Sequence, residues 1–266
     1  MKFSKIITNV ERKQILNLLS TGKRMDGREF NTHREIKIKV GVIEKAEGSA
    51  RVYLGNTDVL VGVKIDIGEP FPDVPEKGVL TVNAELVPLA SPVFEPGPPD
   101  ENSIELARVV DRSIRESETI DLEKLCIIPG KKVFVVFVDI YVLNHGGNLI
   151  DASTMATLAA LLHTKFPKYT VEKEEVKKVA GYQSLPIKNY PIAMTFCKIN
   201  DYILLDPSLD EEEMMDARLT ITIDKDGKIC AVQKGGSGHF TSEEVLNIAK
   251  LASEKAEYVR KIIMGE

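Results

Sequence analysis

The stretch that most restricts the fold is Val133 to Leu162, VFVVFVDIYVLNHGGNLIDASTMATLAALL. An apolar, β-branched run from Val133 to Leu143 stops at Asn144-His145-Gly146-Gly147, and a helical pattern of small and apolar residues follows. The first run predicts a strand and the second a helix. Strand, tight turn and helix N-terminus in succession also make an anion site. The first N–H groups of a helix lack intrahelical partners, and the helix dipole places positive potential at the same end. Phosphate chemistry would want a cation at this turn as well. The chain supplies Asn148 and Leu149 instead. The segment therefore predicts the shape of a phosphate pocket without its key.

The remaining sequence extends this to an α/β (α+β) plan. Thr8-x-x-Glu11 reads as a capping box for a helix to about Leu19, ended by Gly22. Strand patterns cover Ile36 to Val42, Ala50 to Leu54, Thr57 to Ile65 and Gly78 to Pro88. SPVFEPGPP, Ser91 to Pro99, is a proline-rich loop, and a helix is expected from about Asp100 to Ser117. Beyond a charged segment, strands are expected at Ile192 to Ile199, Tyr202 to Leu205, Ala217 to Ile223 and Ile229 to Lys234. A last helix, opened by Thr241-x-x-Glu244, runs to about Met264. Each half is strands followed by helix. The expected organisation is an N-terminal helix and arm (1–30), a first lobe (31–166), a linker (167–190) and a second lobe (191–266).

Bulk properties limit the function classes. A chain of 266 residues can bury a large core. It has no apolar stretch long enough to span a membrane, and its first residues lack a signal-peptide core. Cys126, Cys197 and Cys230 are odd in number and widely spaced, which points to a reducing cytoplasm rather than to disulfides or zinc. The four histidines show no metal-ligand spacing. A net charge of −5 argues against gripping nucleic acid alone, while leaving room for a local basic patch in a larger assembly.

Three further features each have two readings. In ENSIELARVVDRSIRE, Arg108, Arg112 and Arg115 share a helix face with Glu101 and Glu105, while Leu106, Val110 and Ile114 face a core. That face is either a guanidinium row for phosphate oxygens or a solvated surface with pairs such as Glu105–Arg108 and Arg112–Glu116. The cluster Asp206, Asp210, Glu211, Glu212, Glu213 and Asp216 is either a carboxylate site for Mg²⁺ or acid–base work, or a solvated loop. Asp216, at the mouth of an apolar strand, is the better candidate. Lys234-Gly-Gly-Ser-Gly238 is either an anion loop or a flexible connection.

RMDGRE, PPDENSIELARVVDRSIRES, DIYVLNHGGNLIDASTMATLAAL and LLDPSLDEEEMMDARLTITI together resemble the RNase PH family. Within it they are most similar to the non-catalytic RNase PH-like subunit of the archaeal exosome ring, over nearly the whole chain. The resemblance implies an RNase PH-like fold of two β-α lobes, each a mixed sheet packed with helices. It implies a hetero-hexameric ring, a trimer of dimers, alternating with a catalytic RNase PH-like paralogue. Such a ring carries RNA-binding cap subunits and threads RNA to a phosphorolytic 3′-to-5′ exoribonuclease site.

Departures from the active pattern carry the functional reading. Active relatives have Gly-Gly-Thr-Arg where this chain has Gly146 to Leu149. They also have an arginine pair where this chain has Glu101 and Asn102. Asp210 and Asp216 keep the six-residue spacing of the active aspartates. The resemblance thus implies no catalytic residues, no metal and no cofactor. It implies that Arg108 and Arg112 contact RNA near the neighbour's active site. Two other readings remain: a self-sufficient phosphorolytic exoribonuclease using Lys234 and the Gly235-Gly236 turn, and a small-molecule α/β enzyme of related topology.

Overall fold

A computed structural model describes residues 9–172 and 175–265. Helix α1 (Asn9–Ser20) opens this part and stops before Gly22, whose φ of +75° ends the helix. Its expected cap, Thr8, lies outside the described residues. Strands β1 (Ile36–Val40), β2 (Gly48–Leu54), β3 (Thr57–Gly68) and β4 (Val79–Leu86) follow. Next come helix α2 (Glu101–Glu116), strands β5 (Cys126–Ile128) and β6 (Lys132–Asn144), and helix α3 (Leu149–Leu162).

Alternation decides which face of this sheet is core. Val59, Val61 and Val63 of β3 and Val136, Val138, Ile140 and Val142 of β6 are buried, while the residues between them are not. The sheet runs β1-β2-β3-β6-β4, with β5 paired to β6. The β4–β6 pair is parallel and the others antiparallel. A parallel pair needs a crossover, and α2 supplies it.

Residues 167–190, expected as a linker between the lobes, carry regular structure of their own. Strands β7 (Lys165–Glu172) and β8 (Glu175–Ser184) form an antiparallel hairpin there. Phe166 is buried at its base and packs edge-on against Phe134 at 5.1 Å, with Tyr169 on the same ring at 5.4 Å. A register shift between Pro167 and Tyr169 breaks the two-residue period. The hairpin also buries little else, so its sequence carries no apolar alternation.

The second sheet contains β9 (Ile192–Ile199), β10 (Tyr202–Leu205), β11 (Ala217–Ile223) and β12 (Ile229–Gly235), in the antiparallel order β10-β9-β11-β12. A short helix, α4 (Leu209–Met214), joins β10 to β11. The final helix α5 (Ser242–Met264) starts with the predicted capping box, Thr241 with Glu244. Every residue of β11 is buried, as expected for a central strand covered on both faces.

Helix α3 joins the two sheets. It packs on β2 and β3 of the first and on β9 of the second, and also meets α2 and α5. Every residue from Leu149 to Leu161 is buried. A helix without a polar face must be covered all round, and its Ala, Ser and Thr positions let both sheets approach closely.

Candidate functional site

The turn between β6 and α3 has the predicted shape and an unpredicted occupant. Gly147 has φ +92°, and a Cβ there would lie 2.5 Å from backbone atoms of Ser208 and Leu209. Only glycine leaves room for the start of α4, which presses on the turn. Asn148, at φ +50°, caps α3 by accepting from the Asp151 N–H. The Asn148 N–H itself is the donor that a bound anion would use. It donates to Glu212 Oε1 at 2.9 Å. The backbone donor at the start of this turn therefore already has an acceptor from the chain itself. Leu149 turns inward and is 1% exposed.

Several other polar atoms of the turn are also engaged. Arg34 Nη1 donates to the Gly146 carbonyl at 2.7 Å, and Thr57 Oγ1 donates to the Gly147 carbonyl at 2.5 Å. Arg34 also grips Asp206, through Nη2 to Oδ1 at 2.7 Å and Nε to Oδ2 at 3.0 Å. Arg28 Nη1 adds a contact to Asp206 Oδ2 at 3.1 Å. Asn148 Nδ2 donates to both Asp206 Oδ1 and Asp151 Oδ2 at 2.8 Å.

These surroundings set the charges. Burial pushes the Asp206 carboxyl up, but the hydrogen bonds and charge of Arg34 outweigh it and hold the group down at about 2. Burial dominates at Asp151, which is pushed up to about 7 despite bonds from Thr195 and Asn148. Burial likewise lifts Glu212 to about 7 against the pull of Arg218. His145 is lowered to about 4 by burial and stacks on Phe94 at 5.6 Å. The turn is thus rimmed with carboxyl groups, and Arg34 and Arg28 beside it are bound to Asp206.

The acidic cluster is an ordered element. Ser208 and Glu211 form a capping box for α4, and Arg24 pairs with Glu211 out of contact with solvent. Asp216 accepts the Asn200 N–H at 2.7 Å, and its carbonyl accepts from Gly238 at 2.7 Å. Among the described residues, no group of three His, Cys, Asp or Glu is placed to hold a metal. Cβ atoms at Gly236 and Gly238 would come within 2.8 Å of the Asp216 carbonyl, and Lys234 Nζ donates to the Gly236 carbonyl at 2.6 Å. That loop is packed against the β11 entry.

Helix α2 presents a different surface. Asp100 caps it by accepting from Ser103, and Leu106, Val109, Val110 and Ile114 face the core. Arg108 and Arg112 are exposed. Among the described residues, neither forms a hydrogen bond or ion pair. The anticipated Glu105–Arg108 pair is absent, because Glu105 accepts from Arg218 Nη2 at 2.5 Å. Arg115 is committed internally, to Asp111 at 2.6 and 3.0 Å and to the Leu80 carbonyl at 3.0 Å. Periodicity put the three arginines together, and only two of them are open.

Arg34, Asp206, Glu212 and Arg218 organise these regions but were not singled out as a set by the sequence. The links Asn148–Glu212, Glu105–Arg218 and Arg34–Asp206 span 64, 113 and 172 residues. One local signal was available: Ser208-x-x-Glu211 is a capping-box pattern and marks α4.

Comparison with known proteins yields consistent matches. Residues 32–167 match domain 1 of the 3′ exoribonuclease family, RNase PH, and residues 189–255 match domain 2. Exosome complex component Rrp42 of Thermococcus gammatolerans is 58% identical over 261 residues, covering 97% of this chain and 96% of that protein. A structure of the Archaeoglobus fulgidus exosome with RNA bound to the active site contains a chain with TM-score 0.89 and 48% identity. The match covers 95% of this chain and 97% of that one. A chain of an archaeal exosome core gives TM-score 0.86 and 44% identity, over 96% and 97%.

Proposed function

The chain belongs to the RNase PH family of 3′ exoribonucleases, and from that premise we propose that it is the non-catalytic subunit of an archaeal exosome ring. It is an RNase PH-like exosome component, like the relatives it matches nearly end to end. Its proposed role is to alternate with a catalytic RNase PH-like paralogue, to structure that neighbour's active site and to help position RNA. RNA-binding cap subunits complete the proposed assembly, and its proposed setting is the cytoplasm. No described helix is long and apolar enough to cross a membrane.

The observation that carries the non-catalytic reading is the Glu212 carboxylate on the Asn148 N–H. Phosphorolysis needs a phosphate dianion fixed in line with the scissile bond and screened from the RNA backbone. Here an internal carboxylate takes the turn's donor, and Asp206 takes the nearby guanidiniums. A dianion placed there would have to displace Glu212 from the donor and would find Arg34 and Arg28 already paired. Arg108 and Arg112 support the RNA role, because they are exposed cations that form no hydrogen bond or ion pair among the described residues.

The test is reconstitution. The isolated chain, given poly(A), phosphate and Mg²⁺, should release no nucleoside diphosphate. Mixed with its catalytic paralogue, it should form a ring of defined mass that does. Phosphate-dependent release by the isolated chain would overturn the reading.

A further inference from the structure

The arginine face of α2 is held in place from the other sheet. Arg218 on β11 is 1% exposed, and its Nη2 donates to Glu105 Oε1 at 2.5 Å. The guanidinium fits because its cross-strand neighbour on β12 is Gly235, where a Cβ would lie 2.9 Å from Nη2. A second link joins the same two elements. Ser113 Oγ lies 3.0 Å from Thr222 Oγ1. The anchored positions, Glu105 and Ser113, are about two helical turns apart and bracket Arg108 and Arg112. Two anchors on one strand fix both the axial position and the rotation of α2. Glu105 precedes Arg108 by three residues and Arg112 by seven, so all three share a face.

The Arg218–Glu105 pair is a poor device for stability alone. Arg218 Nε is buried without a partner among the described residues. A half-buried ion pair with one unsatisfied buried donor adds little net stability, and the best-attested use of such pairs is to specify register. We propose that Arg218 is a positioning residue for RNA, setting the orientation of α2 through Glu105 so that Arg108 and Arg112 meet the RNA backbone together. This rests on the reading of those two arginines as RNA contacts.

The experiment measures binding of a fluorescent oligoadenylate to the assembled ring without phosphate, where degradation cannot proceed, and then kcat and KM with phosphate. Arg218→Met should weaken binding and raise KM by about three- to tenfold, the scale of one lost coupled contact, with kcat unchanged. Arg218→Lys should recover part of the loss. The same substitution placed in an Arg108→Glu/Arg112→Glu background should add nothing, because its effect runs through those side chains. Glu105→Ala removes the acceptor from the more exposed side and replaces Arg218→Met if that variant does not assemble. An assembled ring carrying Arg218→Met or Glu105→Ala that binds RNA like wild type overturns the proposal. So does an equal loss in the double-arginine background, which would mark a general structural effect. If Arg108→Glu/Arg112→Glu alone binds RNA normally, the arginine contacts themselves are refuted and the positioning role goes with them.

Discussion

The β6–α3 turn and the outer face of α2 both offer groups that phosphate oxygens seek, yet they end in opposite states. At the turn, Arg34 is saturated by Asp206 and by the Gly146 carbonyl, and the Asn148 N–H is taken by Glu212. On α2, Arg108 and Arg112 stand in solvent without a partner among the described residues. The same side chain is a brace in one place and an open contact in the other. The difference lies in whether an acceptor from the same chain is within reach. At the turn the acceptor comes from the chain itself.

The largest predicted effect tests the braced side. Asp206→Ala strips the carboxylate from Arg34, Arg28 and Asn148, and should cost about 3–5 kcal/mol in guanidinium denaturation. Asp206 is held at about 2, below its usual value of 3.8. Its contribution is therefore complete above the usual value and is lost as pH falls toward 2. Asp206→Asn should accordingly show a flatter acid limb. A loss below about 1 kcal/mol for the alanine variant would place Asp206 among ordinary surface changes and break the contrast.

The next effect tests the open side. Arg108→Glu with Arg112→Glu should lower RNA degradation by the mixed ring about 10- to 100-fold while the ring still assembles. Unchanged degradation would end the proposed RNA role. A smaller effect separates contact from brace. Each single change to alanine at these arginines should reduce the log–log salt slope of RNA binding by about 0.7, the value for one phosphate contact on a single strand. Glu212→Gln should leave that slope unchanged.

The smallest effect is a pH dependence at the turn. Burial raises Glu212 to about 7, so the folded state holds its proton more tightly than the unfolded chain does. That contribution is present below the usual carboxylate value and is lost as pH rises through about 7. Glu212→Gln should flatten the decline of thermal stability between about pH 5 and 8 and change little in acid. An identical decline in the variant would show that Glu212 does not titrate there. Asp151, also raised to about 7, keeps its own share in either case.

Much of this was legible in the sequence where the signal is local. The β6 run, the Gly-Gly turn, the strands from Ile192 to Leu205 and the capped final helix follow from period, turn chemistry and capping. The departure at Asn148-Leu149 was visible as well. Glu212 as the replacement ligand was not, because the charge run around it reads equally well as a solvated loop. Asp206 and Arg34 are 172 positions apart, and no pattern in one chain links them. The β7–β8 hairpin hid behind a register shift and lysines. Glu105 had a plausible partner in Arg108 three residues on, and only the packing of the second sheet against α2 reveals Arg218 as the actual one.

Helix α3 serves both sheets at once, with no side that either could give up. The two halves are therefore not separable modules, whatever their likeness suggests. Cutting the chain within the hairpin would leave the second sheet without its floor and the first with an uncovered apolar rod. Unfolding should be a single all-or-none event. In the proposed ring, such a subunit is expected to answer load at one edge as a single block, because one helix is packed on both sheets.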